Sequence, residues 1–285
     1  MTSHFPKIAV LTALLLVSFS YGQEAKKKTA PIDLTHWKIT IPEANPNNPG
    51  SPIEIGYPEI MEYANNPVLK KWMYNDEKDN SIVFYAYPSG TTTANSHFSR
   101  SELRETIEPG NNNVNWTFAQ GGTFKATYAI EAVSKEKDGK YSKIIIAQIH
   151  GRLTNAQRDL IGQKDNNAPP MLKISWDNGK IRVKTKVLKE VNTPDIYILG
   201  VKAWKDDQGT DFKEKVDFNK FTLEVKIAND KMEVTLNGNE TLVYNDINIK
   251  KWEIFENYFK AGNYFQSKEP DSFARVKIYA LEVSH

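Results

Sequence analysis

From His36 onward the chain repeats one pattern: short runs of alternating apolar and polar residues, broken by clusters of Gly, Pro, Asn and Asp. Alternation with period two sends one side of a segment to a core and the other to water, so such a chain is built from strands. Strands are predicted at 36–42, 81–88, 97–107, 123–133, 143–151, 171–176, 180–188, 221–228, 231–236, 241–244, 258–266 and 273–283. Asp177-Asn178-Gly179 and Asn237-Gly238 are hairpin signals, because Asn and Gly accept the positive φ that tight strand reversals need; Asn229-Asp230 marks another turn. Helical signals are confined to 58–65 and 67–74, each with Pro near its start. One long stretch, 151–170, shows no periodicity and is expected to be a loop over a functional site. Many antiparallel strands without alternating helices predict an all-β fold, a β-jelly roll sandwich of two antiparallel sheets with few short helices.

The N-terminus is read separately. Lys7 precedes the apolar run 8–19, and Ser20-Tyr21-Gly22 supplies small residues before Gln23. This is the pattern of a signal peptide, too short for a transmembrane helix. The expected organisation is a signal peptide at 1–22 and a single catalytic domain at 23–285, secreted or periplasmic. The chain contains no cysteine, so an exported form relies on its core without disulfides. Removing 1–22 takes one Lys and no acid, leaving 36 basic against 35 acidic residues, a net charge of +1. That balance excludes a nucleic-acid binder acting through bulk charge. No second apolar run is long enough to span a membrane, so no membrane association is expected after signal removal, and the protein is expected to be a monomer.

Three strands carry polar side chains where a buried strand should not. Read with strict alternation, Ile144, Ile146, Gln148 and His150 share one face. Arg100, Glu102 and Arg104 share another, and Tyr258, Lys260, Gly262, Tyr264 and Gln266 a third. Singly, each has a plain structural explanation: a hydrogen-bonded core histidine, a ladder of weak surface ion pairs, a packed tyrosine strand. Together, if the strands share a sheet, they form one groove with cationic and amide donors, one base near neutral pH and one phenol. Glu102, between two arginines, is expected to stay ionised as their partner. Glycoside hydrolysis needs two carboxyl groups across the bond, and no such pair is visible. The set suits an acidic sugar polymer: Arg or Gln stabilises the charge entering the sugar carboxylate as the C5 proton leaves, His or Tyr removes that proton, and Tyr protonates the departing O4.

Arg100-Ser-Glu-Leu-Arg-Glu105, Gln148-Ile-His150 and the segment 258–266 resemble, in the same order, the three signature segments of the alginate lyases of polysaccharide lyase family seven, and 36–42 is similar to that family's N-terminal strand. The resemblance implies a jelly roll whose concave face binds alginate or its oligosaccharides. It implies Arg100 as carboxylate neutraliser with Gln148 as its partner, and His150 and Tyr264 as the catalytic pair. His150 would act as base on guluronate, and Tyr264 would give its proton to O4 and perform both roles on mannuronate. Asn95, Glu102, Arg104 and Lys260 match positions that line the subsites or orient the arginine. The family works without a metal, and His36, His97 and His150 show no ligand spacing, so no cofactor is expected. Phe265 stands where the family usually has Asn, and Ile149 is the residue associated with guluronate-containing links. Two other readings stay open: a non-catalytic glycan-binding jelly roll using Tyr258, Tyr264, Trp252 and Trp176, and a lyase for another polyuronate such as glucuronan.

Overall fold

The computed structural model describes residues 1–2, 29–228 and 230–285; the expected signal peptide from residue 3 onward and Asn229 of the Asn229-Asp230 turn lie outside the described residues. The strands are β1 (Trp37–Ala44), β2 (Pro52–Ile55), β3 (Met73–Asp76), β4 (Ser81–Ala86), β5 (Arg100–Glu105), β6 (Trp116–Thr117), β7 (Gly122–Val133), β8 (Ile144–Arg152) and β9 (Asn167–Asp177). They continue as β10 (Lys180–Leu188), β11 (Trp204–Asp206), β12 (Thr210–Lys215), β13 (Phe221–Ala228), β14 (Lys231–Leu236), β15 (Glu240–Tyr244), β16 (Glu256–Phe265) and β17 (Ala274–Ser284). Three short helices, α1 (Asn155–Leu160), α2 (Asp195–Ile198) and α3 (Ile247–Trp252), complete the regular structure with three single 3-10 turns.

The strands form two antiparallel sheets. One runs β11-β10-β9-β8-β16-β5-β1-β2, with β12 and β6 paired to its members; the other runs β15-β14-β13-β7-β17-β4-β3. The protein is the all-β jelly roll that the alternation predicts. Inward-facing residues of both sheets, among them Ile39, Leu103, Phe259 and Ile174 from one and Phe84, Tyr128, Val225 and Ile278 from the other, meet in a core without solvent access. At about 25 cal/mol per Å², this burial is the main force holding the sheets together. Asn178 and Gly179 have φ of 50° and 86° and pair Asp177 with Lys180, so the β9–β10 hairpin closes in two residues.

Several expectations need correction. The stretch 151–170 is not a long loop: Gly151 and Arg152 extend β8, α1 follows, and β9 begins at Asn167. The Thr154 and Gln157 side chains cap the backbone of α1 reciprocally, a signal present in the sequence as Thr-x-x-Gln. The segments 58–65 and 67–74 hold only single 3-10 turns, the second passing directly into β3. Residues 97–99 lie outside β5, which starts at Arg100. Strands β2, β3, β6, β11 and β12 were not legible, being short or embedded in polar sequence.

The inward side of β5 is not wholly apolar. Ser101 donates to the Trp72 carbonyl at 3.0 Å. The Glu105 carboxylate, almost fully buried, accepts from Trp116 Nε1 at 3.1 Å, the Phe259 backbone N–H at 2.9 Å and His285 Nε2 at 2.7 Å. It thus ties β5, β6, β16 and the chain's last residue into one knot. Glu105→Ala leaves two buried N–H groups without partners and is expected to cost about 3 kcal/mol of stability, measured as a lower midpoint of denaturant unfolding.

Candidate active site

The groove lies on the larger sheet, where β1, β5, β16, β8 and β9 stand side by side. Backbone register brings the polar residues together. Lys38, Arg104, Lys260, Gln148 and Lys173 occupy one cross-strand row, and Arg100 pairs with Tyr264 in another. Arg100, Arg104, Gln148, His150, Tyr258, Lys260, Tyr264 and Asn95 all line a single cleft of about 400 Å³. Arg100, Gln148, His150 and Tyr264 therefore share one face of one sheet.

Strict alternation does not describe how they arrive there. Ile144 and Ile146 are fully buried in the core, whereas Gln148 and His150 face the groove. Between Ile145 and Ala147 the register against β9 slips, because β8 carries an extra residue. Ile146 and Ala147 consequently both turn inward, and the polar phase begins at Gln148. A second irregularity, between Ala261 and Tyr264 of β16, offsets that strand against β8. Gly262 sits there at φ 127°, and a Cβ on it would stand 2.8 Å from the Ser101 carbonyl oxygen. Only glycine fits this close approach. Phe265 and Ile149 are fully buried in the core.

Glu102 is the centre of the site although no part of it reaches solvent. One carboxylate oxygen accepts from Arg100 Nη1 at 2.7 Å and from the Lys260 ammonium; the other accepts from Gln148 Nε2 at 2.6 Å. Burial pushes the Glu102 carboxyl up, yet Lys260 and Arg100 together hold it below its ordinary range. It is an ionised anchor for three donors on three strands. Arg104 is fixed otherwise, donating to the Glu105 carbonyl at 2.8 Å and to Asn115 Oδ1 at 2.8 Å, with its guanidinium 4.1 Å from the Tyr258 ring centre. Asn95 lies exposed on the loop at the groove rim.

His150 stacks on Tyr258 with ring centres 5.2 Å apart. Its Nδ1 lies 2.9 Å from the Gly151 carbonyl oxygen. A carbonyl only accepts, so Nδ1 carries the proton and Nε2 of the neutral ring keeps its lone pair. Burial and the nearby Lys260 charge push the His150 imidazole down to about 3, so it is neutral at physiological pH. Burial, then Arg100, brings Lys260 down to about 8 against the pull of Glu102. The Tyr264 phenol lies 2.8 Å from Ser96 Oγ, and the Arg100 guanidinium stacks 3.7 Å from its ring centre. Ser96, which also accepts from Arg100 Nη2 at 3.0 Å, was missed by sequence reasoning, as were Lys38, Lys173 and Lys186 along the groove. Ser96, Lys173 and Lys186 stand in no motif, and the groove role of Lys38 and Lys173 becomes visible only once register aligns their strands.

Glu54 is the one acidic residue lining the groove among the described residues, and Lys38 at 2.6 Å and Thr40 hold it. The cleft therefore lacks the opposed carboxyl pair of a glycoside hydrolase. Trp176 and Trp252 are fully buried in the core, which removes them as a sugar-stacking platform. A jelly-roll groove with buried donors, a neutral imidazole and a phenol has the equipment of a polysaccharide lyase.

Comparison with known proteins narrows this class. The family model described as Alginate lyase matches residues 32–285, and the chain belongs to that family, the alginate lyases of polysaccharide lyase family seven. The crystal structure of alginate lyase A1-II′ is similar at 30% identity, covering 89% of this chain and 96% of that one with a TM-score of 0.69. A variant of the same lyase, in complex with a substrate written GGMG, is 28% identical over 91% of this chain and 97% of that one, TM-score 0.70. An alginate lyase from Pseudomonas aeruginosa shares the fold at 23% identity, 89% and 99% coverage and TM-score 0.64. A search of curated proteins finds no match.

The Lys260 charge can be tested directly. Lys260→Met is expected to move the His150 titration upward from about 3, followed by imidazole NMR. Because the folded imidazole resists protonation while the unfolded one takes a proton near its ordinary value, His150 costs stability as pH falls from 6.5 toward 3 and nothing above 7. His150→Asn should therefore lose less melting temperature than the native protein over that acid window, with no difference between their pH responses at neutral pH.

Proposed function

We propose that this chain is an exported alginate lyase that cuts the polymer by β-elimination without a metal. The observation that carries the reading is the single groove holding a neutral imidazole, a phenol and three donors gathered on one buried carboxylate. A uronate carboxylate entering this groove meets Arg100, the second N–H of the Gln148 amide and the Lys260 ammonium. These stabilise the negative charge that grows on it as the C5–H bond breaks.

On guluronate, His150 Nε2 takes the C5 proton. The electron pair forms the C4–C5 double bond, the C4–O4 bond breaks, and Tyr264 gives its proton to O4. On mannuronate, Tyr264 performs both transfers from one side: its phenolate takes the C5 proton and then returns a proton to O4. The low basicity of His150 fits this scheme, because a bound carboxylate offsets the field of Lys260 and Arg100 and raises the imidazole as the substrate arrives. Glu102 acts from beneath by fixing the donors, Arg104 holds the Tyr258 ring against His150, and Asn95 borders the polymer's path. A lean toward guluronate-containing links is supported by the Ile149 form of the motif and by the GGMG substrate bound to the relative. Export is supported by the pattern at 1–22; no helix among the described residues is long and apolar enough to cross a membrane.

Absorbance of the unsaturated ends, followed on polyguluronate, polymannuronate, mixed alginate and glucuronan, tests the reading. Cleavage of the alginate blocks is expected, while cleavage of glucuronan alone would reassign the substrate. Binding without chain shortening would make the protein a glycan-binding module. His150→Ala, Tyr264→Phe and Arg100→Ala are each expected to lower kcat about a hundred- to ten-thousandfold while polymer binding persists. Near-normal turnover by Tyr264→Phe would remove the phenol from the acid role. Above pH 8, where Lys260 loses its proton, KM should rise as the groove gives up one positive charge.

A further inference from the structure

Ser96 lies at the end of the loop that joins β4 to β5, one residue past Asn95, and half-buried against the groove. Its hydroxyl has four polar neighbours: Tyr264 Oη at 2.8 Å, Arg100 Nη2 at 3.0 Å, the Phe98 carbonyl oxygen at 3.1 Å and the Phe98 backbone N–H at 3.4 Å. A serine hydroxyl has one proton to donate and two lone pairs to accept with. Arg100 donates into one lone pair whatever the state of the site. The single proton then has two possible acceptors, the Phe98 carbonyl and the tyrosine oxygen, and the charge on the tyrosine decides between them.

While Tyr264 is a phenol, it donates to Ser96 Oγ and with Arg100 fills both lone pairs, leaving the Phe98 N–H at 3.4 Å a weak contact, and Ser96 donates to the Phe98 carbonyl. When Tyr264 becomes a phenolate it can no longer donate. Rotation about the Ser96 Cβ–Oγ bond then turns the hydroxyl proton onto the phenolate, a charge-assisted bond stronger than the one given up. No heavy atom has to move. Arg100, stacked 3.7 Å from the ring centre and donating to the same serine, keeps Oγ in place in both states.

We infer that Ser96 is a positioning residue whose hydroxyl rotates to stabilise the Tyr264 phenolate. The inference rests on the reading of Tyr264 as proton donor and acceptor. It makes a demand that differs between the two sugars. On mannuronate the phenolate is the reacting base and is restored at the end of each turnover, so its stability governs the fraction of active enzyme. On guluronate, His150 takes the C5 proton and the phenolate arises only as O4 departs; solvent then returns a proton to it and removes one from the imidazolium.

Ser96→Ala removes the rotating donor. It is expected to lower kcat on polymannuronate about a hundredfold and on polyguluronate about tenfold, within the range for loss of one donor to a developing anion. KM should stay near its native value on both, and Ser96→Thr, which keeps the hydroxyl, should restore both rates. In a Tyr264→Phe background, Ser96→Ala should have no further effect, as a cycle of coupled residues requires. Equal losses on the two polymers, no loss on either, or a well-folded Ser96→Thr that fails to recover would each overturn the inference. If Ser96→Ala does not fold, Ser96→Cys, which fills the same space with a weak donor, carries the comparison. Full activity of Tyr264→Phe would instead overturn the catalytic reading itself, so the two failures are distinguishable.

Discussion

The site depends on one ion in an unfavourable place. A carboxylate without solvent access is costly unless its charge is answered, and Glu102 is answered by a guanidinium, an ammonium and an amide from three different strands. Each of these donors is thereby held in place along the groove. Without the acid, Arg100 and Lys260 would repel each other across adjacent strands, and Gln148 would lose the bond that orients its amide. The same buried charges set the imidazole: Lys260 and burial keep His150 neutral, which is the state a proton acceptor needs.

The groove is also a consequence of broken regularity. A perfectly alternating β8 would place Gln148 on the side of Ile146, inside the sandwich. The extra residue between Ile145 and Ala147 reverses the phase, while β16 keeps unbroken register against β5, so Tyr264 pairs with Arg100 and Lys260 lies between Arg104 and Gln148. Gly262 completes the arrangement by presenting no side chain above Glu102, its partner on β5. The polar cluster has room because the backbone there is bare.

Much of this was legible in the sequence. The long strands β7, β10, β13 and β17 announce themselves by alternation, and the Asn178-Gly179 turn by residue type, because both are local properties. The groove residues of β5, β8 and β16 could be named because their polarity contradicts their surroundings. The phase of β8 could not be read, since a bulge leaves no mark in residue type; Ile144 to Ile149 look the same with or without it. Lys38, Lys173 and Lys186 were invisible for a different reason. A lysine on an outward strand position is ordinary until register places it, as it does Lys38 and Lys173, beside Arg104 or Gln148. Ser96 belongs to an irregular segment with no periodicity to read, and its significance lies in a contact with Tyr264, 168 positions away, that no local pattern announces.

The alternation of β16 has a genetic consequence. Side-chain direction in a strand is a parity, and parity survives any replacement but not a change in count. Loss of a single codon between Ala261 and Tyr264 would swing the phenol into the hydrocarbon interior and thrust Phe265 out among the cations while leaving each neighbouring residue type untouched. At this point of the molecule, length is constrained alongside the identity of Gly262.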